Sequence, residues 1–294
     1  MNLVWKSDER PTSNLRAAKI RMDLMTNSLT TDGFRQYDEH LEDLYQSRII
    51  EYSHQQDPSC FFLSHRGIHR NGKLRVVFDG SAKDGSGRSL NSYLDLGVNL
   101  LSCLLSVIIS FRADQVGCQS DIKAAFHQIL IKEEARKYVQ FLWADEILRF
   151  QRVPFGLSCS PFMLLQTIAT HVHQHPMIGP DLRGRIERGI YMDDLCLSFP
   201  SADKAEASLK HVTNIFVDAS IELHKLRKTE TPSDESKVLS LKWDTVADHL
   251  AVIIPQQSTH PSTKSELLSL VSRPFDPLGV LTPWLIWGKI VLVW

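Results

Sequence analysis

Two adjacent aspartates between two short apolar segments constrain this chain more than any other feature. Residues 189–197 read GIYMDDLCL. The apolar residues predict two short strands that meet at a turn carrying Asp193 and Asp194. A carboxylate beside a hydrophobic core is unfavourable unless another group compensates its charge. A lone aspartate at a strand end is usually a turn residue or a helix cap, whereas a pair in this setting indicates a functional site.

A third carboxylate has the same setting. Asp121 ends the apolar segment 116–121, which also predicts a strand. Carboxylates from two adjacent strands can hold two Mg²⁺ ions about 3.5–4 Å apart, as in phosphoryl and nucleotidyl transfer. Mg²⁺ prefers oxygen ligands and keeps water or phosphate oxygens in its shell, so few protein ligands suffice. The three aspartates therefore predict a magnesium site, with Mn²⁺ as an alternative ion.

A second candidate site is basic. Residues 61–79 predict a β-hairpin with Asn71-Gly72 as its turn. Because strand side chains alternate, Lys73 and Arg75 lie on one face of the second strand, and Leu74, Val76 and Phe78 lie on the other. Residues 61–90 contain six basic and two acidic side chains. Two interpretations stay open, a solvated hairpin and a finger that binds phosphate groups.

Composition excludes several classes of protein. Of the 294 residues, 43% are hydrophobic and 23% charged, which permits a packed core and excludes global disorder. Five cysteines argue against a disulfide scaffold. The formal net charge of −1 means that nucleic-acid binding would need local patches. We find no signal-peptide pattern, and the longest apolar stretch, 97–111, is too short to span a bilayer. We therefore expect a cytoplasmic protein without membrane association.

The remaining pattern is mixed α and β. One helix face in the first 60 residues is predicted from apolar residues at steps of three and four, namely Phe34, Tyr37, Leu41, Leu44, Tyr45 and Ile49. Further helices are predicted near 94–111, from Ser160 to about His173, after the N-cap Ser201, and after the capping box Thr263–Glu266. Strands are predicted over 138–143 and 148–153, and a hairpin is predicted over 238–254.

Several segments, in consistent order, resemble motifs of the reverse transcriptase family. YMDD at 191–194 resembles the paired-aspartate motif, SDIKAAFHQI at 120–129 the first catalytic motif, and RVPFGLSCSPF at 152–162 the template–substrate motif. Two more segments are similar to the BEL/Pao class of LTR retrotransposon polyproteins: KLRVVFDGSAKDGSGRSLN at 73–91 and FDPLGVLTPW at 275–284. The resemblance covers about residues 30–294.

This resemblance implies an α/β right-hand polymerase with fingers, a palm built on an antiparallel sheet, and a partial thumb. The expected boundaries are an N-terminal extension at 1–30, fingers at 31–97 and 128–160, palm at 98–127 and 161–245, and a partial thumb with the start of a connection at 246–294.

The resemblance also implies roles for the aspartates. Asp121 and Asp193 would bind both metal ions, the backbone carbonyl of Ile122 would complete the shell, and Asp194 would be a supporting catalytic and metal-site residue.

Further roles concern the nucleotide and the primer. Lys73 and Arg75 would clamp the triphosphate of the incoming nucleotide. Phe126 would be the gate that excludes a 2′-hydroxyl, although an ordinary core phenylalanine is the alternative. Phe155 and Gly156 match the loop under the nascent base pair. Leu241 and Trp243 belong to the hairpin that resembles the primer grip.

The implied function is RNA-directed DNA polymerisation on an RNA or DNA template with a DNA primer and deoxynucleoside triphosphates. We expect the rest of a Pol polyprotein, with RNase H and integrase, to be missing from this chain, and virus-like particles are an alternative location. We also expect distributive synthesis and poor solubility, because the thumb is partial and residues 284–294 are mostly apolar.

The alternative is a weak or inactive remnant that acts at most as a nucleic-acid-binding module. Departures from the family pattern around the primer grip support it. This chain has Ala219-Ser220-Ile221 where the family pattern has Gly-Gly-Phe, Leu226 where it has Trp, and Ser240 where it has Gly. It also has Ser64-His65-Arg66 in place of a Pro-His-His-like run.

Overall fold

The computed structural model describes residues 1–54, 58–70, 73–232, 237–254 and 260–293. The chain divides into two compact units. The first comprises Met1–Leu100 and Ala124–His171, and the second comprises Leu101–Lys123 and Val172–Trp294. The predicted Asn71-Gly72 turn lies outside the described residues. Within the described ranges, no helix is both long and apolar enough to cross a membrane.

The helices and strands are as follows in chain order. The helices are α1 Leu15–Ser28, α2 Thr31–Gln46, α3 Leu90–Tyr93, α4 Leu104–Phe111, α5 Glu133–Arg136, α6 Ser160–Gln174, α7 Pro180–Gly189, α8 Ala202–Asp218, α9 Lys264–Ser272 and α10 Thr282–Val293, with a 3₁₀ turn at Ala125–Gln128. The strands are β1 Ile50–Tyr52, β2 Ser64–Arg70, β3 Lys73–Asp79, β4 Val116–Ile122, β5 Gln140–Trp143, β6 Glu146–Phe150, β7 Ile190–Tyr191, β8 Asp194–Phe199, β9 Leu223–Lys228, β10 Lys237–Val238, β11 Leu241–Asp244 and β12 His249–Ala251.

The first unit contains two antiparallel sheets. One is the hairpin β2–β3, and the other has the strand order β1-β6-β5. Helix α2 begins at the N-cap Thr30 and buries Tyr37, Leu41 and Leu44, which confirms the predicted apolar face. Two residues assigned to that face depart from it, because Tyr45 is half exposed and Ile49 lies beyond the end of the helix. The Tyr37 ring stacks on Trp143 with centroids 4.3 Å apart, so aromatic packing joins α2 to the end of β5.

The second unit contains a four-stranded antiparallel sheet of order β7-β8-β4-β9 and a three-stranded sheet of order β10-β11-β12. Helices α4, α7 and α8 contact β8. The capping box that was predicted from Thr263 and Glu266 is present at the start of α9, and α9 contacts α10. Asp121 lies on a central strand, and the turn with Asp193 joins β7 to β8. The predicted mixed fold with an antiparallel sheet under the aspartates is therefore confirmed.

Two predicted elements need correction. The apolar segment 94–111 is helical only over α4, because Gly97 has a left-handed φ of 75° that interrupts a helix. Its apolar residues also form no single face, since Leu94 is buried whereas Leu96 and Val98 are exposed. The first strand of the hairpin begins at Ser64 and not at Phe61. Helix α1 buries only Ala18, so its sequence lacks the apolar periodicity from which α2 was predicted.

Candidate active site

The strand register of the second unit brings two of the three predicted aspartates together. Strand β4 pairs with β8 so that Asp121 lies directly opposite Asp194. Asp193 occupies the two-residue turn between β7 and β8, where Met192 takes a left-handed φ of 54°. The backbone N–H of Ile122 donates to the carbonyl oxygen of Asp193 at 2.7 Å. This backbone hydrogen bond connects the turn to β4. Asp193 itself is exposed.

A buried glutamine bridges the two facing carboxylates. Gln119, two residues before Asp121 on β4, is 1% exposed. Its Nε2 donates to Oδ1 of Asp121 at 2.5 Å and to Oδ1 of Asp194 at 2.8 Å. Burial raises the pKa of Asp194 to about 7, and the neighbouring charges of Asp121 and Asp193 act in the same direction. The sheet therefore concentrates negative charge that neighbouring groups do not fully compensate.

Two basic side chains from β9 lie beside this cluster. Lys225 Nζ is 3.6 Å from Oδ2 of Asp121, and Arg227 Nη1 is 3.9 Å from its Oδ1. Arg227 also donates to Oε1 of Gln119 at 2.6 Å. The register of β9 shifts by one residue between Gln119 and Asp121, and Lys225 has a left-handed φ of 56°. Such a bulge redirects side chains next to functional sites.

Sequence reasoning missed these three residues. Gln119 shares a strand face with Asp121 by simple alternation, and this spacing could have identified it. Lys225 belongs to a Leu-x-Lys segment at 223–225 that resembles the family pattern, but no role was assigned to it. The position of Lys225 and Arg227 beside Asp121 depends on a cross-strand register that no local pattern specifies.

The donor chemistry of the cluster fits a divalent cation. Carboxylate oxygens, as on Asp121 and Asp194, are ligands that Mg²⁺ and Mn²⁺ prefer. Within the described residues, no three His, Cys, Asp or Glu side chains are grouped closely enough to hold an ion by themselves. Two facing carboxylates nevertheless suffice for an ion that retains water and phosphate oxygens. The raised pKa of Asp194 agrees with this fit, because a cation would stabilise the charged form.

The predicted primer-grip side chains are in the core of the second unit. Leu241 and Trp243 are at most 1% exposed and pack with Cys196 of β8 and with residues of α4. The Nε1 of Trp243 donates to Oδ1 of Asp248 at 3.1 Å. Ser240, where the family pattern has Gly, takes a left-handed φ of 66°, a conformation that favours glycine. Within residues 238–243, the exposed residues are Ser240 and Lys242.

The predicted nucleotide-binding residues belong to the first unit. Arg75 is exposed on β3 opposite Ile68, and Arg66 of β2 shares its face because it pairs with Val77. Lys73 is the first residue of β3, and its side chain is outside the described part of the structure.

Phe126 lies at the 3₁₀ turn and contacts the ring of Phe155 edge-to-face, with centroids 4.9 Å apart. Phe126 is half-buried and Phe155 is exposed. Neither ring is therefore a fully buried core residue.

The loop that carries Gly156 is fixed by an asparagine that sequence reasoning assigned no role. Asn91 Nδ2 donates to the Gly156 carbonyl oxygen at 2.9 Å, and its Oδ1 accepts from the backbone N–H of Ser158 at 2.9 Å. Gly156 has a left-handed φ of 96°. Asn91 ends the segment 73–91 that resembles the BEL/Pao class, so this segment is joined to the loop 154–158 by side-chain hydrogen bonds.

Known proteins resemble this chain at two levels. The family described as reverse transcriptase (RNA-dependent DNA polymerase) matches residues 28–243, which is well over half of the chain. None of the curated proteins matches the sequence.

Similar solved structures are of the foamy viral protease-reverse transcriptase. The complex with an RNA/DNA hybrid has a TM-score of 0.60 and 16% identity, and the match covers 83% of this chain and 30% of the viral chain. A second structure, in complex with double-stranded DNA, has a TM-score of 0.58 and 16% identity. That match covers 92% of this chain and 42% of the viral chain. A third structure, also in complex with double-stranded DNA, has a TM-score of 0.59 and 17% identity. That match covers 83% of this chain and 47% of the viral chain. The chain thus spans less than half of each viral chain.

At these identities the solved structures establish a shared fold, and the family match extends over both aspartate motifs. The chain belongs to the reverse transcriptase family, which consists of RNA-directed DNA polymerases.

Proposed function

We propose that this chain is the polymerase part of a BEL/Pao-type LTR retrotransposon and extends a DNA primer by two-metal nucleotidyl transfer. The main support for this proposal is that Asp121 and Asp194 are cross-strand partners, with Asp193 on the adjoining turn. The BEL/Pao assignment rests on the segments 73–91 and 275–284. The solved complexes of the viral relatives with RNA/DNA hybrid or double-stranded DNA support a primed template as partner.

The carboxylates would serve as the metal ligands. Asp121 and Asp193, with the Ile122 carbonyl, would hold both ions, and Asp194 would support them. When bound, Mg²⁺ or Mn²⁺ supplies a lowered pKa for the primer 3′-hydroxyl and charge neutralisation for the triphosphate. Gln119 keeps the facing carboxylates of Asp121 and Asp194 in hydrogen-bond contact with one amide.

Residues of the first unit would act on the nucleotide. Arg75 and Lys73 would bind the triphosphate of an incoming deoxynucleotide. Phe126 would exclude a 2′-hydroxyl, and Phe155 and Gly156 would support the nascent base pair. The exposure of Arg75 and the partial burial of Phe126 are compatible with these roles.

The wider proposals concern organisation. Fingers at 31–97 and 128–160, palm at 98–127 and 161–245, and a partial thumb at 246–294 would form the polymerase. The primer grip would include Leu241 and Trp243. Because both side chains are buried, the hairpin would contact the primer through other atoms. RNase H and integrase parts of a Pol polyprotein would act with it, in the cytoplasm or in virus-like particles.

A primer-extension assay with Mg²⁺ or Mn²⁺ tests this function. We expect the chain to extend a DNA primer on an RNA template. Asp121→Asn and Asp193→Asn should each lower kcat by more than about 10-fold, a barrier increase above ~1.4 kcal/mol. Asp145→Asn, which changes an exposed turn aspartate of the first unit, is the matched control and should leave kcat unchanged. An Asp193→Asn variant that retains more than about 10% of kcat would contradict the assignment.

The competing function is a non-catalytic module that binds nucleic acid. The left-handed φ at Ser240, where a glycine would be unstrained, is the structural observation that favours a degenerated primer grip. A chain that binds a primed template but adds no nucleotide with either metal would have this function instead.

A further inference from the structure

We propose that Gln119 and Arg227 are a positioning pair that sets the geometry of the Asp121 and Asp194 carboxylates for cation binding. This inference rests on the proposed function, because it takes both carboxylates to be metal-site residues. Neither member of the pair would touch substrate, so both would act through the carboxylates.

The first step is the stoichiometry of the Gln119 amide. A glutamine NH₂ group has two hydrogens. One is donated to Oδ1 of Asp121 and the other to Oδ1 of Asp194, with Nε2 to oxygen distances of 2.5 and 2.8 Å. A single neutral group therefore contacts both carboxyl groups and adds no charge of its own. The site remains anionic and can still attract a cation.

The second step is the orientation of that amide. A flipped amide would direct Oε1 toward the two carboxylates, which would be repulsive. Arg227 donates to Oε1 at 2.6 Å, and a guanidinium has no acceptor atom. It can therefore bind Gln119 only when the oxygen faces Arg227 and the NH₂ group faces Asp121 and Asp194. Arg227 thus selects the productive orientation.

The third step is the placement of the guanidinium by the strand register. Gln119 pairs with Arg227, whereas Asp121 pairs with His224, so β9 carries one extra residue between these pairs. The Arg227 Nη1 is 2.6 Å from the amide oxygen but 3.9 Å from Asp121 Oδ1. A bidentate arginine on Asp121 would compete with a cation for the same oxygens. Arg227 instead makes its hydrogen bond to Gln119, which lies directly opposite it on β4, and it does not occupy both oxygens of Asp121.

The test measures Mn²⁺ binding to the full chain by electron paramagnetic resonance, without nucleotide, together with kcat and KM for the nucleotide in primer extension. Gln119→Leu should weaken Mn²⁺ binding by about 10-fold or more, as for other groups that orient metal ligands. It should lower kcat while KM for the nucleotide changes little. Thermal unfolding of each variant establishes that it folds.

Arg227→Ala separates positioning from simple electrostatics by the sign of its effect. Removal of a positive charge close to Asp121 should by itself tighten cation binding. A positioning role predicts the opposite, weaker Mn²⁺ binding. Lys225→Ala is the matched control, because it removes a charge 3.6 Å from Asp121 without touching the amide, and it should tighten binding or leave it unchanged. Arg227→Lys, which retains a donor, should recover part of the affinity lost in Arg227→Ala.

The two proposals fail in distinguishable ways. Mn²⁺ affinity that is unchanged or higher in both Gln119→Leu and Arg227→Ala would overturn the positioning pair, while Asp121→Asn still abolished binding and extension. A wild-type chain that neither binds Mn²⁺ nor extends a primer would overturn the proposed function and the positioning pair with it.

Discussion

Gly156 packs directly against Phe78, so that a Cβ atom on Gly156 would lie 2.2 Å from the carbonyl oxygen of Phe78. The same glycine has a φ of 96°, which residues with a side chain rarely adopt. Its carbonyl oxygen accepts from Asn91 at 2.9 Å. The loop 154–158 is therefore fixed by a close backbone approach that requires glycine, whether or not it also contacts a base pair.

Gly156→Ala should destabilise the protein by about 2 kcal/mol or more, since backbone strain and steric overlap combine. Chemical denaturation followed by circular dichroism would measure the change in the free energy of unfolding. Gly85→Ala is the matched control, because a Cβ there would meet nothing within 4 Å. It should change stability by no more than about 0.5 kcal/mol. Equal stability of the two variants would refute the close approach.

The stability of the first unit should depend on pH through His65. The Tyr37 hydroxyl donates to Nδ1 of this ring, and Nε2 donates to the Leu142 carbonyl oxygen at 2.7 Å. Phe78, Phe141 and Trp143 also contact it. Burial lowers the pKa of His65 from 6.5 to about 4, although the bond to Leu142 opposes this shift. The folded state thus favours the neutral ring.

The sign of the effect follows from proton linkage. Between pH 6.5 and 4 the unfolded chain binds the proton that folded His65 does not, so stability should decrease as pH falls through this range, by up to about 3 kcal/mol. His127, whose pKa is also lowered to about 4 by burial, adds to the same trend. His65→Gln preserves a donor and an acceptor and should flatten the pH dependence of the free energy of unfolding. His69→Gln, at an exposed position of the same strand, should not.

Arg75→Ala should raise KM for the incoming nucleotide by roughly 10-fold, as expected for loss of a charge-assisted hydrogen bond. Steady-state extension at fixed salt measures this, and duplex affinity should change little. Arg35→Ala is the control, since Arg35 is an exposed arginine on α2 that pairs with Asp32 and Glu39. A large loss of duplex affinity with an unchanged KM would assign Arg75 to the nucleic-acid backbone instead.

Phe126→Ala or Phe126→Val should increase ribonucleotide incorporation relative to deoxyribonucleotide incorporation by at least about 10-fold, the usual scale for one steric contact. The ratio of kcat/KM for the two nucleotides is the measurement. Phe126→Tyr retains the ring and should retain the selectivity. If the ratio stays constant while the melting temperature falls, Phe126 has a packing role with Phe155 and is not a gate.

Local periodicity and local hydrogen bonding predict several elements correctly from the amino-acid sequence. The apolar spacing around Tyr37 and Leu41 specified α2. Ser201 specified the start of α8, where its side chain accepts from the Lys204 N–H, and Thr263 with Glu266 specified the start of α9. The apolar segments ending at Asp121 and flanking Asp193 specified strands of the sheet. Each of these signals involves residues within a few positions of one another.

The surroundings of the aspartates depend instead on long-range contacts. Gln119 and Arg227 are 108 residues apart, and the pairing of β9 with β4 places them opposite each other. The register of β4 with β8 decided that Asp194, predicted to be the supporting residue, is the one that faces Asp121. Packing against α4 decided that Leu241 and Trp243 are buried. Cross-strand register and long-range packing depend on the whole sheet, because a shift of one residue turns every side chain to the other face, and no local pattern encodes that choice.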